Sequence, residues 1–253
     1  MTTVRRLAPG ELLAEIDILY RQVFGLAPTD SGMNPRLLVA LTRSGGHLVG
    51  AFDADVLIGY GLAVLARDAT TGELHHYSQT VAVDARFRGQ GVGRAIKAEQ
   101  RVASLADGIE TLRWAYDPVQ ARNAHLNLDV LGAEVRSFVR DLYGTAAPGN
   151  DAGERTDRCI VTWSLKAPPR PPATDPPAVP PGATVDVSGD ALLGVPADWS
   201  VYREDVGPQP AAELRERVAT AFTDLLGRGL VASSCQRVTD AVAVYRFTPA
   251  VTS

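Results

Sequence analysis

The sequence is poor in the residues that build disulfides, metal clusters and membrane spans. It has two cysteines, Cys159 and Cys235, and four histidines among 253 residues. Two cysteines far apart in sequence and without metal-ligand spacing indicate reduced thiols, although spacing alone leaves a disulfide between them open. The chain has no apolar run long enough to cross a bilayer, and its first residues lack the apolar core of a secretory signal. We therefore expect a cytoplasmic protein that does not engage a membrane.

Lysine is also scarce, and the charge balance is mildly acidic. Lys97 and Lys166 are the only lysines, and the formal net charge is −4. A chain with negative net charge has no electrostatic support for binding nucleic acid or an anionic membrane. We attribute the preference for arginine to genomic composition rather than to function. The length suits one large domain, or one domain with a smaller unit.

The most informative segment is Arg88-Gly89-Gln90-Gly91-Val92-Gly93, which Arg94 follows. It joins a strand-like run, residues 79–83, to a helix-like run, residues 92–106. Glycines let the backbone approach a ligand without a Cβ clash, and the first N–H groups of a helix attract phosphate. The two arginines add full positive charge in a geometry that suits phosphate oxygens. We predict a phosphate-binding loop here; the alternative is a surface turn without a ligand.

The glycine spacing matches neither common nucleotide-binding loop. The dinucleotide fingerprint requires G-x-G-x-x-G, but Arg94 stands where the last glycine belongs, and the Walker loop requires Gly-Lys-Ser/Thr after the turn. The segment instead resembles the acyl-CoA pyrophosphate loop of the GNAT N-acyltransferase superfamily, (Arg/Gln)-x-x-Gly-x-(Gly/Ala), with Arg88, Gly91 and Gly93 at its defining positions. The resemblance implies acetyl-CoA or another acyl-CoA as co-substrate. The implied contacts are Val81, Ala82, Val83, Arg88, Gly89, Gln90, Gly91, Val92, Gly93 and Arg94.

A second group of residues carries the same resemblance. It comprises Trp114-Ala115-Tyr116-Asp117-Pro118, residues 121–127, and Leu131-Gly132-Ala133. Residues 77–143 as a whole are similar to a bacterial branch of predicted GNAT acetyltransferases. In this superfamily the fifth strand splays from the fourth, pantetheine lies in the gap, and the next helix covers it. Asn123 and Asn127 lie four apart on that predicted helix, so we expect them to bind the pantetheine amides, or else to be surface amides.

The predicted elements also follow the GNAT order. Residues 1–166 read β-α-α-β-β-β-α-β-α-β-β, which predicts an α/β (α+β) fold: a mixed, mostly antiparallel sheet flanked by helices. Eight prolines within residues 167–182 predict an extended strap or linker. Residues 183–253 predict a small β-α-β-β unit, with a helix over 210–226 and a hairpin over 229–247, docked on the first domain because its own core is thin.

Acyl transfer to an amine requires a base, a donor to the thioester oxygen, and an acid for the leaving thiolate. A backbone N–H within residues 81–83 is the predicted oxygen donor. At the start of the fourth strand, alternation places His75 and Tyr77 on one face and His76 and Ser78 on the other. We assign His76 as base, directly or through water, against the alternative of an exposed histidine pair. Tyr77 occupies the position of the glutamate base of histone-type GNAT enzymes.

Other acid–base candidates follow the fifth strand. Tyr116 and Asp117 are candidates for the acid or for amine binding, although Asp117 before Pro118 also fits a helix N-cap. The tyrosine that many GNAT enzymes use as general acid falls on Leu128 here, so the resemblance leaves that role unfilled. We predict no metal site, because His75, His76 and His125 lack carboxylates at ligand spacing.

Together these features predict an acyl-CoA-dependent N-acyltransferase. We expect acetyl transfer to a primary amine of a small molecule or peptide by direct attack in a ternary complex, since the motif contains no cysteine or serine as covalent carrier. The alternative is a non-catalytic acyl-CoA-binding module. Dimers are frequent in the superfamily, so both a monomer and a homodimer remain open.

Overall fold

The computed structural model describes residues 2–144, 154–168, 170 and 173–250, which form two compact units. Of the described residues, unit 1 comprises 2–114, 154 and 164–166, and unit 2 comprises 115–144, 155–163, 167–168, 170 and 173–250. None of the helices in the described ranges is long and apolar enough to span a membrane.

Unit 1 contains strands in the order β1-β2-β3-β4-β5. Neighbours from β1 to β4 are antiparallel, whereas β5 runs parallel to β4. The strands are β1 Thr2–Leu7, β2 His47–Asp53, β3 Val56–Arg67, β4 Leu74–Val83 and β5 Thr111–Tyr116, and the helices are α1 Leu13–Phe24, α2 Pro35–Arg43 and α3 Val92–Ala106.

Different helices cover the two faces of this sheet. Ile16 and Leu19 of α1, with Leu38 of α2, are buried in one apolar cluster, and Val92 and Ile96 of α3 are buried in another. Residues three and four apart in a helix share a face, so each helix presents one apolar stripe to the sheet. Unit 1 is therefore a three-layer arrangement, with β4 between the two apolar clusters.

Two irregularities in β4 shape the region that follows. Leu62 lies opposite Thr80 while Ala63 lies opposite Ser78, so Gln79 is the extra residue of a β-bulge. On the other side, β4 pairs with β5 at only two positions among the described residues, His76 with Leu112 and Tyr77 with Arg113. Pairing with β5 therefore stops just before the bulge.

Unit 2 contains a second run of strands, in the order β7-β6-β10-β11-β9-β8, with all neighbours antiparallel. Its strands are β6 Glu134–Val139, β7 Arg158–Ser164, β8 Thr184–Val187, β9 Asp190–Pro196, β10 Leu230–Arg237 and β11 Val242–Pro249, and its helices are α4 Ala121–His125, α5 Trp199–Val206 and α6 Pro208–Gly227. A π-helical turn, Leu126–Val130, follows α4.

The core of unit 2 is aromatic. Phe222 of α6 is fully buried, and its ring centroid lies 5.5 Å from Phe138, 5.1 Å from Tyr245 and 5.1 Å from Phe247. Such offset or edge-on aromatic contacts add to the free energy gained by burying apolar area. The helix α6 thus packs against both β6 and β11, although the two strands lie far apart in sequence.

The proline-rich segment is tied to the strands of unit 2 where it is described. Val179 is 2% exposed, and Pro181 forms a bridge with Gly194 of β9. The side chain of Arg246 also donates to the Thr174 carbonyl at 3.2 Å. Prolines at residues 169, 171 and 172 lie outside the described residues. The described part of the segment contains no helix, which agrees with its proline content.

The predicted fold class is confirmed as a mixed fold with a largely antiparallel sheet. The order of elements over residues 1–166 agrees with the prediction, while β8 and α5 were not foreseen. The predicted helix that contains Asn123 and Asn127 is instead a short α4 followed by a π turn, in which the Leu131 N–H donates to the Leu126 carbonyl. The predicted domain limits, 1–166, 167–182 and 183–253, remain a prediction. The two compact units divide the chain differently, with β6 and most of β7 in unit 2.

Candidate functional site

The glycine-rich segment connects β4 to α3 with its backbone open on one side. Gly89 and Gly91 adopt φ values of +75° and +83°, and Gly91 is the N-cap of α3. A Cβ added at Gly89, Gly91 or Gly93 would meet no atom within 4 Å. Positive φ explains the need for glycine at the first two positions. At the third, the open space leaves room for a ligand close to the backbone.

The first turn of α3 presents unbonded donors to that space. The first intrahelical bond runs from the Ala95 N–H to the Gly91 carbonyl, at 2.9 Å. The N–H groups of Val92, Gly93 and Arg94 precede it and have no intrahelical partner. The helix dipole adds partial positive charge at the same place. This end of α3 can therefore bind an anion.

Arginine side chains flank the loop in two different states. Arg86 forms an ion pair with Asp84, whose carboxylate accepts a hydrogen bond from the guanidinium at 2.7 Å. This bond lowers the pKa of Asp84 to about 2. Arg88 and Arg94 are exposed, and neither forms an ion pair among the described residues. Arg88 donates from Nε to the Val83 carbonyl at 3.3 Å, which places it beside the end of β4. These two charges remain available to a phosphate.

The side chain of Gln90 makes a contact within the protein, although the position of Gln90 in the loop predicts a contact with the cofactor. Its side-chain amide donates to the Arg86 carbonyl at 2.9 Å. The side chain therefore closes the short turn of residues 85–87 onto the loop, while its backbone lies in the glycine run.

The end of β4 offers backbone groups on its open side. The Asp84 N–H bonds the Ile58 carbonyl of β3 at 2.9 Å, so alternation directs Ala82 toward β3 as well. Val81 and Val83 therefore direct their backbone groups away from β3, where pairing with β5 has already stopped. Of the three β4 residues predicted to meet the cofactor, two have backbone groups on the open side and Ala82 does not.

A buried lysine lies at the point where β4 and β5 cease to pair. Lys97 of α3 is 5% exposed, and its Nζ donates to the Ser78 hydroxyl at 2.8 Å. The same Nζ lies 3.7 Å from the centroid of the Trp114 ring. Ser78 and Trp114 are the residues that follow the last β4–β5 pair. Burial lowers the pKa of Lys97 well below its usual value, so the amine loses its charge more readily than an exposed lysine.

The predicted base His76 lies beneath α3 with both ring nitrogens engaged. Nε2 donates to the Gly45 carbonyl at 2.9 Å, since a carbonyl only accepts, and Nδ1 then accepts from the Ser104 hydroxyl at 2.8 Å. The ring is fully buried, and burial lowers its pKa. His75 is also buried, at 7% exposure. The alternative of an exposed histidine pair is therefore wrong, and the surroundings of His76 favour a structural role over that of a base.

Tyr77 lies on the opposite face of β4 from His76. It pairs with Val64 of β3, and opposed residues of an antiparallel pair share a face. Val64 packs against the apolar cluster of α1 and α2, so Tyr77 faces that side of the sheet. Tyr77 is partly exposed and stands at the last position paired with β5. Of the two candidates on β4, it is the one whose side chain is not fully buried.

In unit 2, Tyr116 is held in a chain of hydroxyl groups. Its oxygen lies 3.2 Å from the Tyr245 hydroxyl, which donates to the Pro118 carbonyl at 2.8 Å. Tyr245 thus uses its proton on the carbonyl, and Tyr116 donates to Tyr245. Burial raises the pKa of both phenols. The contacts of Tyr116 are those of a core residue that positions the segment after β5.

Asp117 forms a largely buried ion pair with Arg215. Its carboxylate accepts from the Val119 N–H at 3.1 Å and from the Arg215 guanidinium at 3.1 Å. The side chains of Asp117 and Arg215 are 14% and 12% exposed. Burial raises the pKa of the carboxyl, and the guanidinium opposes that rise. The bond to Val119 closes a turn ahead of α4, whose N-cap is Gln120, so the predicted alternative of a helix N-cap at Asp117 is wrong.

The two asparagines expected on one helix face lie in different surroundings. Asn123 is exposed, whereas Asn127 is 1% exposed. The π turn begins between them and breaks the spacing that would place residues four apart on one face. Leu128, at the position of the family's general acid, is 1% exposed in the core.

His125 and the cysteines complete the candidates in unit 2. The Nδ1 atom of His125 lies 3.1 Å from the Asp129 carboxylate and 3.1 Å from the Cys235 carbonyl. Asp129 also accepts from the Ser234 hydroxyl at 2.6 Å. Cys159 and Cys235 are buried free thiols, as the sequence predicted.

A role for Lys97 was not predicted from the sequence, because the scarcity of lysine was attributed to genomic composition. The available signal was its position: the buried stripe of α3 contains Lys97, Gln100 and Ser104 beside Val92 and Ile96. Charged residues are seldom buried without a partner. A lysine on an apolar stripe is thus a sign of a specific environment, although its partners cannot be read from the stripe.

Comparisons with known proteins agree with this geometry. Residues 15–126 match the family model described as the acetyltransferase (GNAT) family. An N-acetyltransferase from Staphylococcus aureus Mu50 gives a TM-score of 0.52 at 15% identity, over 66% of this chain and 99% of that one. The ribosomal-protein-S18-alanine N-acetyltransferase from Escherichia coli gives 0.51 at 16% identity, over 66% and 96%.

A third structure, yncA from Salmonella typhimurium with its cofactor acetyl-CoA, gives a TM-score of 0.51 at 18% identity, over 69% of this chain and 99% of that one. At these identities the likeness shows the fold. A search of curated proteins found no match to this sequence.

Proposed function

Because residues 15–126 belong to the acetyltransferase (GNAT) family, we propose that the protein transfers an acetyl group from acetyl-CoA to a primary amine of a small molecule or a peptide. The observation that carries the proposal is the N-terminus of α3. There, three open glycines, the N–H groups of the first helical turn and the unpaired Arg88 and Arg94 meet at the end of β4. Each of these features suits a pyrophosphate.

The β4 backbone is assigned to the rest of the cofactor. Beyond the pyrophosphate, pantetheine would extend along the open side of β4, where Val81 and Val83 present backbone N–H groups. An N–H directed at the thioester oxygen stabilises the negative charge that develops when the amine attacks. This stabilisation comes from the backbone and requires no side chain. It therefore does not depend on His76, Tyr116 or Asp117, whose side chains are held by other contacts.

Proton transfer is assigned to Tyr77 or to water. An alkyl amine is mostly protonated near neutral pH and must lose a proton before it attacks. Tyr77 is the partly exposed candidate at the last position of β4 that pairs with β5. We assign His76 to holding the turn at Gly45, Tyr116 to the hydroxyl chain through Tyr245, and Asp117 to its pair with Arg215.

Acetyl-CoA binding is the first test of the proposal. We expect calorimetry to show binding at one site per chain, and Arg88→Glu combined with Gly91→Glu to abolish it by charge repulsion and by filling the open cradle. A matched control is Arg36→Glu combined with Gly108→Glu. Gly108 has φ +78° and open space around a Cβ, so it imposes the same backbone strain outside the loop. Equal loss in both variants, or no binding by the folded wild type, would remove the proposal.

Turnover distinguishes an enzyme from a binding module. One observation favours the non-catalytic alternative: three of the four predicted acid–base groups make buried contacts of their own. Release of the CoA thiol in the presence of a panel of primary amines is expected for the enzyme, with a lower kcat in Tyr77→Phe. Tight acetyl-CoA binding without amine-dependent thiol release would establish the binding module instead.

A further inference from the structure

A second group of chemically able side chains lies at the other end of α3. His47 at the start of β2, His76 in β4 and Asp107 at the C-cap of α3 each offer one nitrogen or oxygen, and these atoms lie within 4.8 Å of one another. His47 is 1% exposed and His76 is fully buried, whereas Asp107 is exposed and opens the group to solvent. All three residues belong to unit 1.

The state of His47 points to a missing partner. Both of its ring nitrogens are buried and have no hydrogen-bond partner among the described residues. A neutral imidazole carries one donor and one acceptor, and leaving such groups unsatisfied in the interior is energetically unfavourable. A neutral imidazole keeps a lone pair on one ring nitrogen, and that lone pair can bind a cation. The rings of His47 and His76 meet edge to face, with centroids 4.8 Å apart.

A backbone carbonyl holds one ring N–H of His76 and leaves the other ring nitrogen with a lone pair. Its Nε2–H donates to the Gly45 carbonyl, which fixes the lone pair on Nδ1. Histidines that bind metals almost always donate their other ring N–H to a carbonyl or carboxylate in this manner. The hydroxyl of Ser104 now donates to Nδ1, but a helical serine can instead bond the carbonyl four residues earlier.

Asp107 supplies an anion at the end of a helix that favours cations. The C-terminus of α3 carries partial negative charge from the helix dipole. The carboxylate accepts from the Arg6 guanidinium at 3.1 Å through each oxygen, and each oxygen keeps a second lone pair. The positive charge of Arg6 opposes a metal ion, so the carboxylate must be shared between the two.

We propose that His47, His76 and Asp107 bind a divalent transition-metal ion of the zinc class. Two imidazoles and one carboxylate suit Zn²⁺, whereas Mg²⁺ and Ca²⁺ prefer oxygen ligands. With bonds of about 2.1 Å, tetrahedral ligands lie about 3.4 Å apart, so no pair of these atoms needs to close by more than about 1.4 Å. The ion satisfies one nitrogen of His47, joins β2 and β4 to the end of α3, and leaves its fourth position to water.

The test uses the full chain after treatment with a chelator. Calorimetric titration with Zn²⁺ is expected to show one site per chain, and Co²⁺ in place of zinc is expected to give the visible absorption of a tetrahedral site. His47→Gln and, separately, Asp107→Asn are expected to weaken the affinity at least tenfold. The exposed position of Asp107 keeps that variant folded even if the substitution at the buried histidine disturbs folding.

Two other histidines provide the controls. His75→Gln alters the opposite face of β4, and His125→Gln alters unit 2, so both are expected to bind Zn²⁺ as the wild type does. No stoichiometric binding by the wild type, or unchanged affinity in Asp107→Asn, would overturn the proposal. Loss of binding in either control variant would do the same. The result is independent of acetyl-CoA, so it stands or falls separately from the proposed function.

Discussion

Replacing Lys97 by methionine tests whether the buried amine is uncharged in the folded protein. Methionine keeps the length of the side chain and removes the amine, which now donates to Ser78 and lies over the Trp114 ring. The Ser78 hydroxyl keeps its own bond to the side-chain amide oxygen Oε1 of Gln100, at 3.0 Å, so the substitution leaves no new unsatisfied hydroxyl. The expected effect is therefore set mainly by the cost of burying an ionisable group.

The sign of the pH dependence follows from proton binding. Burial lowers the pKa of Lys97 in the folded chain, whereas an unfolded lysine titrates near about 10.4. Between these two values the unfolded chain binds a proton that the folded chain does not, so wild-type stability rises by about 1.4 kcal/mol per pH unit. Below the lowered pKa the full penalty applies, and above about 10.4 the penalty is gone. The advantage of Lys97→Met over the wild type shrinks with the same slope.

Urea unfolding at several pH values measures the effect. The free energy of unfolding is compared between the wild type and Lys97→Met from about pH 7 to about pH 10. Lys166→Met is the matched control, because that side chain is 65% exposed and pairs with Glu110 on the surface. A difference between Lys97→Met and the wild type that stays constant over this range, as expected for Lys166→Met, would show that Lys97 keeps its proton and would refute the reasoning.

Three further perturbations test the interior of unit 2. Arg215→Met leaves the Asp117 carboxylate buried without its guanidinium, and we expect it to lower the free energy of unfolding in urea by about 3–5 kcal/mol; an unchanged value would contradict the ion pair. Phe222→Ala empties the centre of the aromatic cluster, with an expected loss of about 3–5 kcal/mol in the same assay, and a loss below about 1 kcal/mol would mean that the cluster rearranges to fill the gap. Burial raises the thiol pKa of Cys159 and Cys235, so both should react slowly with a thiol reagent in the native protein and fast in denaturant; rapid native labelling would argue against burial.

Local signals explain which elements the sequence predicted well. The bounds of α3 agree with the predicted helix over 92–106 residue for residue, because helical spacing and glycine act within a few positions. The π turn at Leu126–Val130 depends instead on longer contacts. The Ala133 N–H donates to the Asn127 carbonyl, and Asp129 accepts from Ser234, which is 105 residues away. A helical pattern alone cannot reveal such contacts.

In the candidate site, too, some features follow from neighbouring residues in the sequence and others depend on distant ones. The loop was predictable, since its glycines and arginines are consecutive and their conformation follows from their type. The state of His76 was not, because its partners Ser104 and Gly45 lie 28 and 31 residues away. Alternation correctly separated His76 from Tyr77, but it cannot say which face is buried under a helix. Side-chain identity thus indicated the chemistry, while burial decided which groups remain able to perform it.

The two proposals place ligands of opposite charge at opposite ends of α3. The helix has 15 residues, which is about 22 Å, and its dipole favours an anion at Gly91 and a cation at Asp107. If the metal changes the affinity for acetyl-CoA, then acetyl-CoA must change the affinity for the metal by the same factor. Measuring both factors in the wild type therefore tests the coupling between the two sites, because the factors must agree. A common factor different from one shows that α3 couples the sites, a factor of one shows that they are independent, and unequal factors show that one ligand also binds elsewhere.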